Sequence, residues 1–289
     1  MNESFDAGRL RSWVIPDVVR VYSKQDTMLY ALGIGLGADP LSADELQFVY
    51  ERNLQALPSF PTALAYPFLW YAQPGIGIDL VNVVHAEMGF HNHAPVPIEG
   101  KVCGTTRVTA IQDKGARVGA LLCTRCEIVD TASGTLVSTL HSASLARANG
   151  GFEGTARHAP FQPPFPARQP DKVCDTATLP QAALIYRLSG DPNPLHVEPA
   201  VAAKAGFARP ILHGRCTFGV AAWALMRLCA GYDPRRLTRM HCRFSSPVFP
   251  GEVIRTEVWQ DGSEVRFRAI VQERDNIVVL SHGRAQVVD

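Results

Sequence analysis

The chain carries almost no excess of charge: 28 Lys and Arg stand against 27 Asp and Glu in 289 residues, a net charge of +1 at pH 7. That balance supplies no long-range attraction for nucleic acid or an acidic membrane surface, and neither is expected as a partner. Cysteine is sparse and odd in number, seven in all, without the spacing of a disulfide framework. The close pair Cys123 and Cys126 falls in the strand-like run 117–129, where positions three apart face opposite sides of a sheet. This weighs against a metal or redox site there. Free thiols fit a reducing compartment, and a cytoplasmic location is expected. No zinc-ligand spacing occurs, and no Gly-x-Gly-x-x-Gly opens a βαβ unit. No uncharged apolar run approaches the roughly 20 residues of a membrane helix. The start, Met1 to Asp6, lacks the charged-then-apolar pattern of a signal peptide, and the end, Val287-Val288-Asp289, is not a peroxisomal Ser-Lys-Leu tail.

What is present is ample apolar material, 46% of residues against 19% charged, enough for one large globular domain or two ordinary ones. A Gly- and Pro-rich stretch over 151–175 divides the chain as an extended connector. The flanking parts, 1–150 and 176–289, resemble each other. His93 to Val102 echoes Ser245 to Val253, and each is followed by alternating strand-like runs parted by turn residues. These runs span 105–112, 116–130 and 136–148 in the first part, and 254–260, 264–273 and 276–288 in the second. Such spacing predicts antiparallel meanders.

The most informative segment runs from Tyr186 to His196. It sets Asp191, Asn193 and His196 within six residues, braced by Pro192 and Pro194. Proline fixes its own φ and drives the preceding residue toward extended geometry, so the three polar groups are presented by a stiff turn. A carboxylate, a carboxamide and an imidazole held together suit the activation of a water molecule. Asp-Pro and Asn-Pro are also ordinary turn initiators. The run 216–228 that follows is apolar almost all round and predicts a buried helix, with Gly214 at its start. Backbone N–H groups there lack intrahelical partners and face the positive end of the helix dipole, a setting for an anion or a developing oxyanion.

Tyr-Arg-Leu-Ser-Gly-Asp-Pro-Asn-Pro-Leu-His, followed by Ile-Leu-His-Gly-x-Cys-Thr-Phe-Gly, resembles the signature of the type 2 (R-specific) enoyl-CoA hydratases, of the MaoC-like group. The likeness extends from Tyr22 to the C-terminus. It implies an α+β double hot-dog fold, two antiparallel sheets each wrapping a central helix, with the N-terminal copy degenerate and non-catalytic. It also implies reversible hydration of a trans-2-enoyl-CoA to a (3R)-3-hydroxyacyl-CoA. Asp191 and His196 match the family's catalytic pair, Asn193 its auxiliary water ligand, and Gly214 the residue whose N–H polarises the thioester carbonyl. Substrate contacts are expected from Pro192, Pro194 and Leu195 of the same turn, from His85 and Ala86, from Lys114 near the coenzyme A phosphates, and from Phe244. At 85–88 the family's His-Gly-Glu-Gln stands as His-Ala-Glu-Met, which puts close backbone approach at Ala86 in doubt. Arg215 and Arg243 are further candidates for phosphate.

The first part keeps an acid, Asp26, where the second has Asp191, but it has no Asn-Pro and puts Tyr30 near the histidine position. Pro58, Pro61, Pro67 and Pro74 forbid an uninterrupted helix there, so an irregular wall is expected beside the acyl chain. No cofactor is expected beyond the coenzyme A of the substrate, and the partner expectation is a homodimer. A dehydratase of lipid or polyketide synthesis, a hot-dog thioesterase and a non-catalytic acyl-CoA binding module are the competing readings. The last would show a broken Asp/Asn/His set, and here the set is complete.

Overall fold

The computed structural model describes residues 5–152 and 165–289, so residues 1–4 and the middle of the connector expected over 151–175, residues 153–164, lie outside the described residues. In the first half, helix α1 (Ala7–Arg11) precedes strand β1 (Val18–Tyr22), helices α2 (Lys24–Gly33) and α3 (Ala43–Val49), and three short 3-10 turns. Strands β2 (Val83–Asn92), β3 (Gly100–Asp113), β4 (Ala120–Asp130) and β5 (Leu136–Ala146) follow. The second half repeats the plan: β6 (Lys172–Ala177), α4 (Ala182–Tyr186), α5 (Pro199–Lys204), α6 (Gly214–Leu225), then β7 (Leu237–Phe244), β8 (Val253–Asp261), β9 (Glu264–Val271) and β10 (Ile277–Val287). The end of the expected connector is thus corrected. Lys172–Ala177 is an edge strand, because its alternating pattern buries Cys174 and Thr176 while pairing with β8.

All ten strands join in one antiparallel sheet, ordered β1-β3-β4-β5-β2-β7-β10-β9-β8-β6. Read from either edge the order is the same hot-dog unit, and the two copies fuse where β2 pairs with β7 from Glu87↔Arg243 to His91↔Arg239. The two sheets expected from the sequence are therefore halves of a single sheet. The main core cluster also runs across the join, from Tyr30, Phe60 and Phe90 to Phe218, Met240 and Phe267.

Helix α6 is the central helix of the second half. Every residue from Arg215 to Leu225 is buried, as an all-round apolar sequence requires, and the helix packs on β6, β7 and β8 and on β2 of the other half. Among the described residues the first half has no counterpart. Its slot is filled by the proline-interrupted segment 58–72, whose 3-10 turn Phe60–Ala63 is buried throughout. At Gly104 of β3 this segment touches the sheet so closely that a Cβ would sit 1.8 Å from the Ala65 carbonyl oxygen. A helix would hold its backbone away from the sheet by the length of its side chains; the irregular wall lies directly on it.

Candidate active site

Helix α4 runs into a 3-10 turn at Arg187–Ser189 that Gly190 ends in the left-handed region, at φ 119°. Asp191 follows. Its Oδ1 accepts from the Asn193 N–H (3.3 Å), and the Asn193 Oδ1 accepts from the Leu195 N–H (3.0 Å), capping the next 3-10 turn, Pro194–His196. The Asn193 carbonyl oxygen is therefore committed to the backbone, and its amide nitrogen is the end left to meet a ligand. Pro192 and Pro194 shape this turn and do not line the cavity.

His196 is 8% exposed. Its Nδ1 lies 2.8 Å from the Ile211 carbonyl oxygen. A carbonyl only accepts, so Nδ1 carries the proton and Nε2 keeps a lone pair. His213, fully buried, stacks on the His196 ring with centroids 3.8 Å apart and 29° between planes. Its Nε2 donates to the Asp191 carbonyl oxygen (3.2 Å), tying the Asp191 turn to the mouth of α6. Burial pushes the pKa of both rings below the ordinary 6.5; the Asp191 charge opposes this at His196, and the neighbouring His196 ring reinforces it at His213. Both are neutral at pH 7.

Side-chain atoms of Asp191, His196 and His213 lie within 4.8 Å of one another. The set has the donors of a metal site but not its geometry. Imidazole lone pairs lie in the ring plane, and two stacked rings cannot aim them at one ion about 2.0–2.1 Å from each nitrogen.

Helix α6 begins at Gly214 with no side chain capping it, and its first intrahelical bond is Thr217 N–H to the His213 carbonyl. The amide groups before it are free donors at the dipole's positive end. Any Cβ at Gly214 would sit 3.3 Å from the Phe244 ring, so glycine keeps this amide approachable. His85 on β2 bonds Ser142 of β5 through Nε2 (2.9 Å) and packs on Phe244 with centroids 4.7 Å apart. Burial first, then the charge of Arg215, pushes its pKa down to about 3.

These parts enclose one cavity of about 240 Å³. Asp191, Asn193, Leu195, His196, Gly214, His85 and Phe244 all line it. Two other expected contacts are not brought in. Ala86 is the extra residue of a bulge, since His85 pairs with Ser144 and Glu87 with Ala143, and it does not line the cavity. Lys114 is exposed in the 114–119 connection between β3 and β4, where its N–H donates to the Gly119 carbonyl oxygen, and it does not line the cavity. Arg243 is also outside the lining, paired with Glu87 at 2.8 Å. The exposed cation on the cavity wall is instead Arg147. His213 and the wall residues Tyr66, Phe68 and Tyr71 were not anticipated as site residues. Their signal was present: Tyr66 to Tyr71 holds four aromatic residues in six, in a chain only 8% aromatic.

The neutral buried histidines set a pH dependence. The unfolded chain takes up protons as pH falls below 6.5 while the folded protein does not. Stability is therefore full above about pH 6.5 and is lost as pH falls, with a slope of at most ~1.4 kcal/mol per pH unit per histidine. Thermal melts between pH 7.5 and 5 are expected to show a falling Tm, less steep in His213→Gln. A Tm that rises on acidification would contradict the neutral assignment.

Fold and site together define a double hot-dog protein whose second half presents an acid and an imidazole at the mouth of a buried helix. The chain belongs to the MaoC-like family of type 2 enoyl-CoA hydratases. Residues 160–281 match the family described as MaoC like domain, and residues 21–148 match the MFE-2 hydratase 2 N-terminal domain. The chain is 38% identical over 271 residues to enoyl-CoA hydratase ChsH3 of Mycobacterium tuberculosis, covering 92% of this chain and 93% of that protein. It is 33% identical over 297 residues to the peroxisomal enoyl-CoA hydratase 2 of Arabidopsis thaliana, covering 97% and 96%. The crystal structure of a MaoC-like dehydratase from Phytophthora capsici superposes with a TM-score of 0.85 at 34% identity, over 98% and 99% of the two chains.

Proposed function

We propose that the protein is a hydro-lyase that reversibly adds water to a trans-2-enoyl-CoA, giving a (3R)-3-hydroxyacyl-CoA, in fatty-acid metabolism. The observation that carries this reading is convergence: a carboxylate, a neutral imidazole and the free amides of a helix start all face one cavity. A conjugated thioester becomes electrophilic at C3 once negative charge can settle on its carbonyl oxygen. The Gly214 N–H holds that oxygen, a donor of a kind whose loss costs ~10²–10³ in rate. Water sits between Asp191, the His196 Nε2 lone pair and the Asn193 amide. As its oxygen bonds C3, Asp191 takes its proton. The enolate collapses, and C2 receives a proton from the Asp191–His196 pair, so the enzyme ends in its starting state. The reverse course is the elimination of water from a 3-hydroxyacyl thioester.

The site uses no cofactor of its own in this scheme; coenzyme A enters as part of the substrate. The proposal extends to a homodimer in the cytoplasm, on the sequence grounds given above. All seven cysteines are free, as a reducing compartment requires, and no described helix is long and apolar enough to cross a membrane.

The test is direct assay. Crotonyl-CoA, octenoyl-CoA and a longer enoyl-CoA are each expected to lose their conjugated-thioester absorbance on addition of the protein. The product should be oxidised by a (3R)-specific and not by a (3S)-specific hydroxyacyl-CoA dehydrogenase. Release of free thiol without loss of the double bond would identify a thioesterase instead.

A further inference from the structure

Arg215 follows Gly214 in the first turn of α6. It is 6% exposed, yet it lines the cavity. Its Nη1 donates to the Thr62 carbonyl oxygen (2.6 Å). Its guanidinium carbon lies 4.1 Å from the centre of the Tyr66 ring and 4.6 Å from that of Phe68. Among the described residues no carboxylate comes within ion-pair distance of it. Three half-buried arginines elsewhere are paired: Arg255 meets Asp175, Arg268 meets Glu257 and Arg274 meets Glu252.

A guanidinium presents five N–H donors, and taking it out of water costs several kcal/mol unless an opposite charge or enough acceptors compensate. Two aromatic faces offset part of that, but they accept no conventional hydrogen bond. One carbonyl accepts one. A saturated hydrocarbon chain lying along this wall would add nothing and would strip away whatever water now helps.

The position also decides which end of a thioester Arg215 meets. Its neighbour Gly214 is the donor to the thioester carbonyl, whereas the diphosphate of coenzyme A stands at the far end of the pantetheine arm. Arg215 reaches from Gly214 into the irregular wall of the first half, at Thr62, Tyr66 and Phe68, the wall expected beside the acyl chain.

We infer that Arg215 is a specificity-determining residue that receives a carboxylate borne on the acyl chain, so that the preferred substrates are enoyl-CoA thioesters of dicarboxylic acids. The planar fork suits two parallel bonds to a carboxylate, and the ring sandwich fixes the plane in which it is offered. This deepens the hydratase reading and rests on it for the chemistry, though not for the binding.

The test compares chain-matched thioesters. Wild-type protein is expected to hydrate trans-2-hexenedioyl-CoA with a kcat/KM roughly 10- to 100-fold above that for trans-2-hexenoyl-CoA, the range of a hydrogen bond to a charged group. Arg215→Met should erase or invert that ratio, mainly through KM. Calorimetric binding of the saturated pair, adipoyl-CoA and hexanoyl-CoA, reads the same subsite without chemistry. If neither enoyl thioester is hydrated but adipoyl-CoA binds more tightly than hexanoyl-CoA, the hydratase reading fails and the subsite stands. If wild-type protein favours the plain chain in both assays, the inference is overturned, whether or not Arg215→Met folds. It is equally overturned if Arg215→Met lowers turnover of both substrates by the same factor, which would mark the cation as a general electrostatic aid.

Discussion

Asp191→Asn is expected to lower kcat/KM for an enoyl-CoA by about 10²–10⁴-fold, the contribution of a positioned general base, while the melting temperature stays close to wild type. The substitution is isosteric. The amide oxygen of the new side chain still accepts from the Asn193 N–H, as Asp191 Oδ1 does now at 3.3 Å, so the turn that presents it is kept. What goes is the capacity to hold a proton. His196→Gln should fall in the same range, because it removes the Nε2 lone pair while a carboxamide still offers an N–H toward the Ile211 carbonyl. The instructive comparison is Asp26→Asn. Asp26 holds the place in the first half that Asp191 holds in the second, but its carboxylate is spent on a capping box with Ser23 and on Arg20 at 3.3 Å. Asp26→Asn should cost about 1 kcal/mol of stability and leave turnover unchanged. Full turnover in Asp191→Asn, or a loss in Asp26→Asn as large as in Asp191→Asn, would refute the assignment of the chemistry to the second half.

Much of this was readable from residues because the reacting groups are local. Asp191, Asn193, His196 and Gly214 lie in two short segments whose prolines and glycine announce their backbone. The meanders were equally plain, since long strands such as β4, with the burial alternation buried–half-buried from Ala120 onward, print their facing onto the sequence. The strands that fuse the halves did not. β2 is half-buried along its first five residues and is broken by a bulge at Ala86, so period-two alternation is lost. Nor did the two edge strands, β1 and β6, which have only five and six residues. The wall was foreseen as an absence of helix, from its prolines, but which of its side chains face the cavity depends on a close backbone contact that no local pattern encodes. Arg215 illustrates the same limit. A lone arginine in an apolar run reads as a phosphate contact or a solvated side chain. Only its sandwich between Tyr66 and Phe68, some 150 residues earlier in the chain, sets it against the first half's wall of the cavity.

That dependence of the site on the wall is open to a stringent test at Gly104, which does not line the cavity. Gly104→Ala is expected to destabilise the protein by roughly 1–3 kcal/mol or more, the cost of overpacking a well-filled interior, with a Tm lower by several degrees. The added Cβ would meet the Ala65 carbonyl oxygen at 1.8 Å and its carbonyl carbon at 2.8 Å, both backbone atoms that no rotamer change can move. Relief requires residues 64–66 to lift off β3. Tyr66 is the next residue and forms one face of the Arg215 sandwich, and its hydroxyl lies 3.1 Å from Thr124 Oγ1 of β4. Lifting the wall should therefore raise KM for the thioester more than it lowers kcat, since the acid, imidazole and amide donors all belong to the second half. Two controls separate this from generic damage. Gly115→Ala meets nothing within 4 Å at φ 91°, so it should cost only the left-handed backbone strain, ~1–2 kcal/mol, and leave KM alone. Ala65→Gly should not rescue Gly104→Ala, because the obstruction is the peptide and not the Ala65 methyl. Rescue by Ala65→Gly, or a Gly104→Ala protein with wild-type Tm and KM, would show that the first half does not press its backbone onto the sheet and that the acyl wall is built some other way.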